Sequence, residues 1–127
     1  MDVTAFLLWT MAGAGLMGMA GIALAAAGAH GRPGTGLDGA GYILLLHAAA
    51  VIAVGTAVDA EILHDASGIL AVLAFVLGAA LFAGDVTLRV YRARRLFPMA
   101  APTGGMVLIA GWLMVTVSAL GALAAIG

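Results

Sequence analysis

Long apolar runs separated by short polar interruptions dominate the chain. Four runs stand out, at about 4–29, 39–58, 67–90 and 103–126, and none alternates with the period of two that a membrane-barrel strand needs. Each holds about 20 residues or more, and ~20 residues at a 1.5 Å rise cover a ~30 Å hydrocarbon core. Lipid offers a peptide group no hydrogen-bond partner, so segments of this kind satisfy themselves as helices. The interruptions punctuate them. "HGRPGTGLDG" (30–39) is a glycine–proline turn in which Asp38 is expected to cap the second helix. "DAEILHDAS" (59–67) is acidic, with Asp65 or Ser67 placed to cap the third, and "RARRLFPMAAPT" (92–103) is basic. Short links make successive helices antiparallel neighbours. The expected fold is all-α, a single transmembrane four-helix bundle over residues 1–127.

Composition agrees with the pattern. Of 127 residues 65% are hydrophobic and 9% charged, with a mean hydropathy of +1.20, whereas a soluble domain is ~45–50% apolar and ~25% charged. A soluble core of this length cannot hide so much apolar surface, so the bilayer is the first partner. The absence of cysteine excludes disulfides, thiolate metal sites and thiol catalysis. Few aromatics and no extended basic surface leave nucleic-acid binding without support. Residues 1–30 read as an uncleaved span rather than a signal peptide. The leading segment carries Asp2 and no cation, and its apolar run outlasts the usual ~7–15 residues.

Charge is distributed unevenly between the two faces. Connectivity puts both termini and the 59–67 connector on one side, with Asp2, Asp59, Glu61 and Asp65. The other side takes Arg32, Arg89, Arg92, Arg94 and Arg95, all five cations of the chain. By the positive-inside rule the 30–39 and 92–103 connectors are expected in the cytoplasm and both termini outside it.

Leucine-lined helices gain little from meeting in lipid, so close approach through small residues is expected to hold the bundle. Helix 1 offers Ala14-x-x-x-Gly18 and Gly21-x-x-x-Ala25, extended by Gly13 and Gly28. Helix 4 offers Gly104, Gly105 and Gly111 behind Pro102, whose missing N–H costs nothing in a first turn. A notch facing lipid or substrate is the alternative use of these glycines. Trp112 lies roughly 15 Å into helix 4 by helical rise, too deep for a belt residue. It is expected to fill space opposite the glycines, its indole N–H seeking a carbonyl or polar side chain. Trp9 suits an interfacial belt.

Few side chains within the spans carry chemistry. Asp85 is the one acid inside a span, with Arg89 at i+4 in the favourable acid-before-base order. An intramembrane carboxylate is a functional candidate by default, and pairing with a snorkelling Arg89 is the structural alternative. His47 sits among Ile43, Leu44, Leu46, Ala48 and Val51, as hydrogen-bonding glue between helices or as a proton relay, quinone contact or metal ligand. His30 marks the end of helix 1, where the dipole favours a cation. His30, His47 and Asp85, with Arg89, converge into one polar cluster if helices 1–3 pack together. His30 and His47 differ in depth by roughly 10 Å, which suits a haem poorly. No nucleophile–base constellation or metal set is apparent, and no cofactor is expected.

The same residues carry a likeness. "GAH" at 28–30, His47, "LFAG" at 81–84 and "PTGGMVLIAGW" at 102–112 resemble the motifs of the YgdD-like inner-membrane proteins, domain-of-unknown-function family 423. The last motif is the most specific, and it brings Gly84, Pro102, Gly104, Gly105, Gly111 and Trp112 into one set with Gly28. The chain departs from the family in Ile43-Leu44, where Tyr-Gln is usual, and in Asp85-Val86-Thr87, where Ser-x-Tyr is usual. The resemblance implies a four-helix protein of the bacterial inner membrane and names no reaction. The expected function is a non-enzymatic accessory, assembly or small-ligand/lipid-binding component, alone as a homo-oligomer or within a larger membrane complex. The alternative is a small proton-coupled transporter using Asp85 and His47.

Overall fold

The computed structural model describes residues 2–127. Four helices follow one another: α1 Val3–Ala26, α2 Leu37–Asp59, α3 Asp65–Arg92 and α4 Ala100–Ile126. All four are long and apolar enough to cross a membrane. Helix α1 starts on Asp2, whose carboxylate accepts from the Thr4 N–H at 2.8 Å and satisfies one orphan donor of the first turn. It ends by widening into a π turn over Ala27–Gly31.

Two helix caps differ from the sequence expectation. Asp38 does not cap α2; the helix begins two residues earlier than that cap would give, at Leu37, after Gly36 in the left-handed region at φ 85°. Leu37 is fully buried, and drawing it into the core brings the first turn forward. Asp38 then lies inside that turn, where a carboxylate suits the helix dipole. Likewise neither Asp65 nor Ser67 caps α3; His64 is the capping position, without a side-chain bond, and Asp65 is the first helical residue. Pro102 falls in the first turn of α4, as its chemistry requires.

The helices form an open bundle. α1 packs on α2, α2 on α3 and α3 on α4, with a marginal contact between α1 and α3. Among the described residues α1 and α4 share no packed seam. Burial follows from this order: 50% of the apolar window of α2 is buried but 22% of that of α1 and 17% of that of α4. The outer helices therefore leave most of their apolar surface uncovered, including Leu16 and Ile22 on α1 and Ile109 and Leu120 on α4.

Glycine sets two close helix crossings. A Cβ on Gly41 of α2 would stand 2.5 Å from both the Gly21 carbonyl oxygen and the Ala25 nitrogen of α1. A Cβ on Gly104 of α4 would stand 2.7 Å from both the Gly78 carbonyl oxygen and the Phe82 nitrogen of α3. At both crossings backbone meets backbone, the geometry that small residues permit in place of a hydrophobic driving force. Hydrogen bonds tie the acidic end: Thr4 Oγ1 donates to Asp59 at 3.0 Å, and the buried Ser118 hydroxyl of α4 donates to the His64 carbonyl at 3.0 Å.

Candidate functional site

The polar side chains singled out in the sequence fall into two centres and one exposed position. His47 is buried in α2 at 3% exposure. Its Nδ1 lies 2.8 Å from the Ile43 carbonyl oxygen, one turn earlier on the same helix. Its Nε2 accepts from the indole N–H of Trp112 on α4 at 3.2 Å. A carbonyl can only accept and an indole N–H can only donate, so the ring is neutral with its proton on Nδ1. Phe75 of α3 fills the angle between the two rings, its centroid 5.3 Å from that of His47 and 4.8 Å from that of Trp112. Such tilted aromatic contacts add to the burial of the rings themselves. Three helices thus meet in one aromatic knot around a fully satisfied imidazole.

Gly111 makes room for that knot. A Cβ there would stand 2.8 Å from Cε1 of Phe75. In the Ala110-Gly111-Trp112 run, the glycine admits Phe75 and the tryptophan reaches His47. The indole finds the polar side chain its depth requires.

Asp85 forms the second centre, on α3 near the arginine end, with no exposed surface. Oδ1 accepts from the backbone N–H of Leu96 at 3.0 Å, which fastens the α3–α4 connector to the helix below it. Oδ2 stands 3.2 Å from Nε of Arg89, whose side chain is 41% exposed. That contact is ionic, without the alignment of a hydrogen bond, and Oδ2 has no aligned donor. The i,i+4 pair expected from the sequence is present; the Leu96 contact is not legible there.

His30 lies exposed on the π turn. His30, His47 and Asp85 keep separate partners, and among the described residues no hydrogen bond joins any two of them. Gly28 packs against the backbone of Asp38 at the start of α2, where no Cβ fits, and His30 lies two residues further along the π turn. Among the described residues no three His, Asp or Glu side chains form a metal-holding group.

The remaining motif residues are packing surfaces or open positions. Leu81 and Phe82 receive Gly104, and Gly84 stands against Leu96, whose Cδ1 would lie 3.4 Å from an added Cβ. Gly105, expected to be part of the packing surface, meets nothing within 4 Å. Gly41, Gly68 and Gly78 are seam residues that sequence reasoning missed. A glycine inside a leucine-rich run shows its purpose only once the register of the neighbouring helix is known.

Neither the curated proteins nor the solved structures give a significant match. A family model does match, over residues 24–105, described as a protein of unknown function (DUF423). The matched span runs from the last turn of α1 through α2 and α3 to Gly105 in α4. It takes in the π turn, His47, Asp85 and the Gly78–Gly104 crossing but stops short of Gly111 and Trp112. With about two thirds of its length matched, the chain belongs to the DUF423 family.

Proposed function

We propose that this is a multi-pass protein of the bacterial inner membrane acting without catalysis, as an accessory, assembly or small-ligand/lipid-binding component. The observation that carries this reading is the state of the two buried titratable side chains. Both nitrogens of His47 have partners inside the fold, and Asp85 holds a backbone N–H and faces an arginine. Groups committed in this way position helices rather than react. The uncovered flanks of α1 and α4 supply surface for a second copy or a larger complex. Mild detergent extraction followed by mass measurement tests the reading. An oligomer or a co-purifying membrane complex is expected, and a monodisperse monomer free of partner and lipid counts against it.

In the proposed orientation the arginine end faces the cytoplasm and both termini lie outside. A reporter fused to Gly127 that works only in the cytoplasm should stay silent; strong activity reverses the orientation.

A second reading, a small proton-coupled transporter, is favoured by one observation, the unaligned Oδ2 of the fully buried Asp85. Flux in reconstituted vesicles that disappears with Asp85→Asn or His47→Ala would promote it. Folded protein with no flux retires it.

A further inference from the structure

α1 and α3 both pack on α2 but barely on each other, so a furrow remains between them, floored by Leu44. It has a volume of about 590 Å³. On α3 its wall runs from Ala80 to Arg92, roughly 18 Å at 1.5 Å per residue, against about 15 Å for one leaflet of hydrocarbon.

The deep part of the furrow is apolar and the mouth is cationic. Arg92 and Tyr91 line the mouth from the end of α3. Arg32, just past the π turn of α1, holds its guanidinium 4.7 Å from the Tyr91 ring centroid. An arginine therefore stands at the end of each wall, and among the described residues no acidic side chain lines the furrow. Among the described residues the one ion pair is Arg89–Asp85, which leaves Arg32 and Arg92 without a carboxylate partner. Thr87 in the wall donates its hydroxyl to the Ala83 carbonyl at 2.7 Å and needs no further acceptor.

We infer that this furrow is a binding site for one anionic phospholipid. An acyl chain lies between α1 and α3, over Leu44, and the phosphate sits between Arg32 and Arg92. Length matches a single leaflet's worth of chain, the apolar lining suits an acyl chain, and the arginine pair selects an anionic headgroup. Basic pockets between spanning helices on the cytoplasmic side are where anionic headgroups bind. This deepens the lipid-binding form of the function proposed above and rests on that reading for the bilayer placement of the helices.

The test is native mass spectrometry of the full chain, delipidated in detergent and titrated with phosphatidylglycerol or phosphatidylcholine of identical acyl chains. One phosphatidylglycerol per chain is expected, preferred by about tenfold, with the preference abolished in Arg32→Gln/Arg92→Gln. Ala80→Phe fills the furrow from an exposed position and should remove the stoichiometric lipid of either kind. Ala23→Phe, exposed on the opposite wall, repeats that arm should the first variant misfold. Equal retention of the two lipids, a preference that survives the arginine changes, or undiminished binding in a filled furrow each overturns the site. So does a lipid-free dimer that Ala80→Phe dissociates, which would place a second copy there. The lipid-binding results leave open the oligomer or complex by which the accessory reading is judged, whereas the dimer would remove the lipid site and support that reading.

Discussion

His47 and Asp85 are both buried polar side chains on apolar helices, and the fold treats them in opposite ways. His47 is closed: each ring nitrogen has one partner of the right sense, and three helices contribute to its surroundings. Asp85 is half open: one oxygen holds a connector N–H, while the other relies on an arginine with 41% of its side chain exposed. A neutral ring can be satisfied in full by two neighbours. A carboxylate has about four acceptor sites and draws on a charge that reaches outward. The imidazole consequently serves as a fixed pin between α2 and α4. The carboxylate serves as a tether whose strength depends on conditions at the arginine end.

Breaking the weaker centre should have the largest effect. Arg89→Leu leaves the buried carboxylate without its counter-charge. Loss of one partner from a fully buried pair costs ~3–5 kcal/mol, and the exposure of Arg89 reduces the expectation to about 2 kcal/mol. Denaturation in mixed micelles should read this, and an unchanged midpoint would show that the ion pair contributes nothing. Gly111→Ala attacks the closed centre through packing. Phe75 has to move away from a methyl at 2.8 Å, at a cost of about 1.5 kcal/mol, in the lower half of the overpacking range. The same change should alter the Trp112 emission spectrum; wild-type emission and stability together would mean the knot is looser than described.

Trp112→Phe removes the indole donor and leaves His47 Nε2 unpaired, a loss of about 1 kcal/mol. In a double-mutant cycle with His47→Phe the two changes should be strongly non-additive, because they delete one shared bond. Additive losses would detach the pin from its partner. Gly105→Ala is the smallest change expected. With open space around it, the added methyl should be neutral or raise stability by up to about 1 kcal/mol. A marked loss there would reveal a neighbour, such as a second chain, seated against that face.

The helical count and the apolar character of the four helices were legible because each rests on a run of many residues. Individual contacts were legible only when local. The Asp85–Arg89 pair is one turn apart and was visible in the sequence; Asp85 to Leu96 joins a side chain to a distant peptide N–H and leaves no side-chain pattern to read. Trp112 announced a need for an acceptor through its depth, but the acceptor, 65 positions away, waited on the packing of α4 across α3. Helix starts shifted for the same reason. Leu37 is drawn into the core by its neighbours, and the capping chemistry of Asp38 cannot express that.

The tether from Asp85 grips the connector by its main chain, and this makes it indifferent to what residue 96 carries. Alanine, serine or lysine there would present the same amide hydrogen to the carboxylate. Proline alone has none to present. The connector can thus change its outward character freely, to suit a different headgroup or docking protein, while its anchorage to the third helix persists, so long as that single position avoids an imino acid.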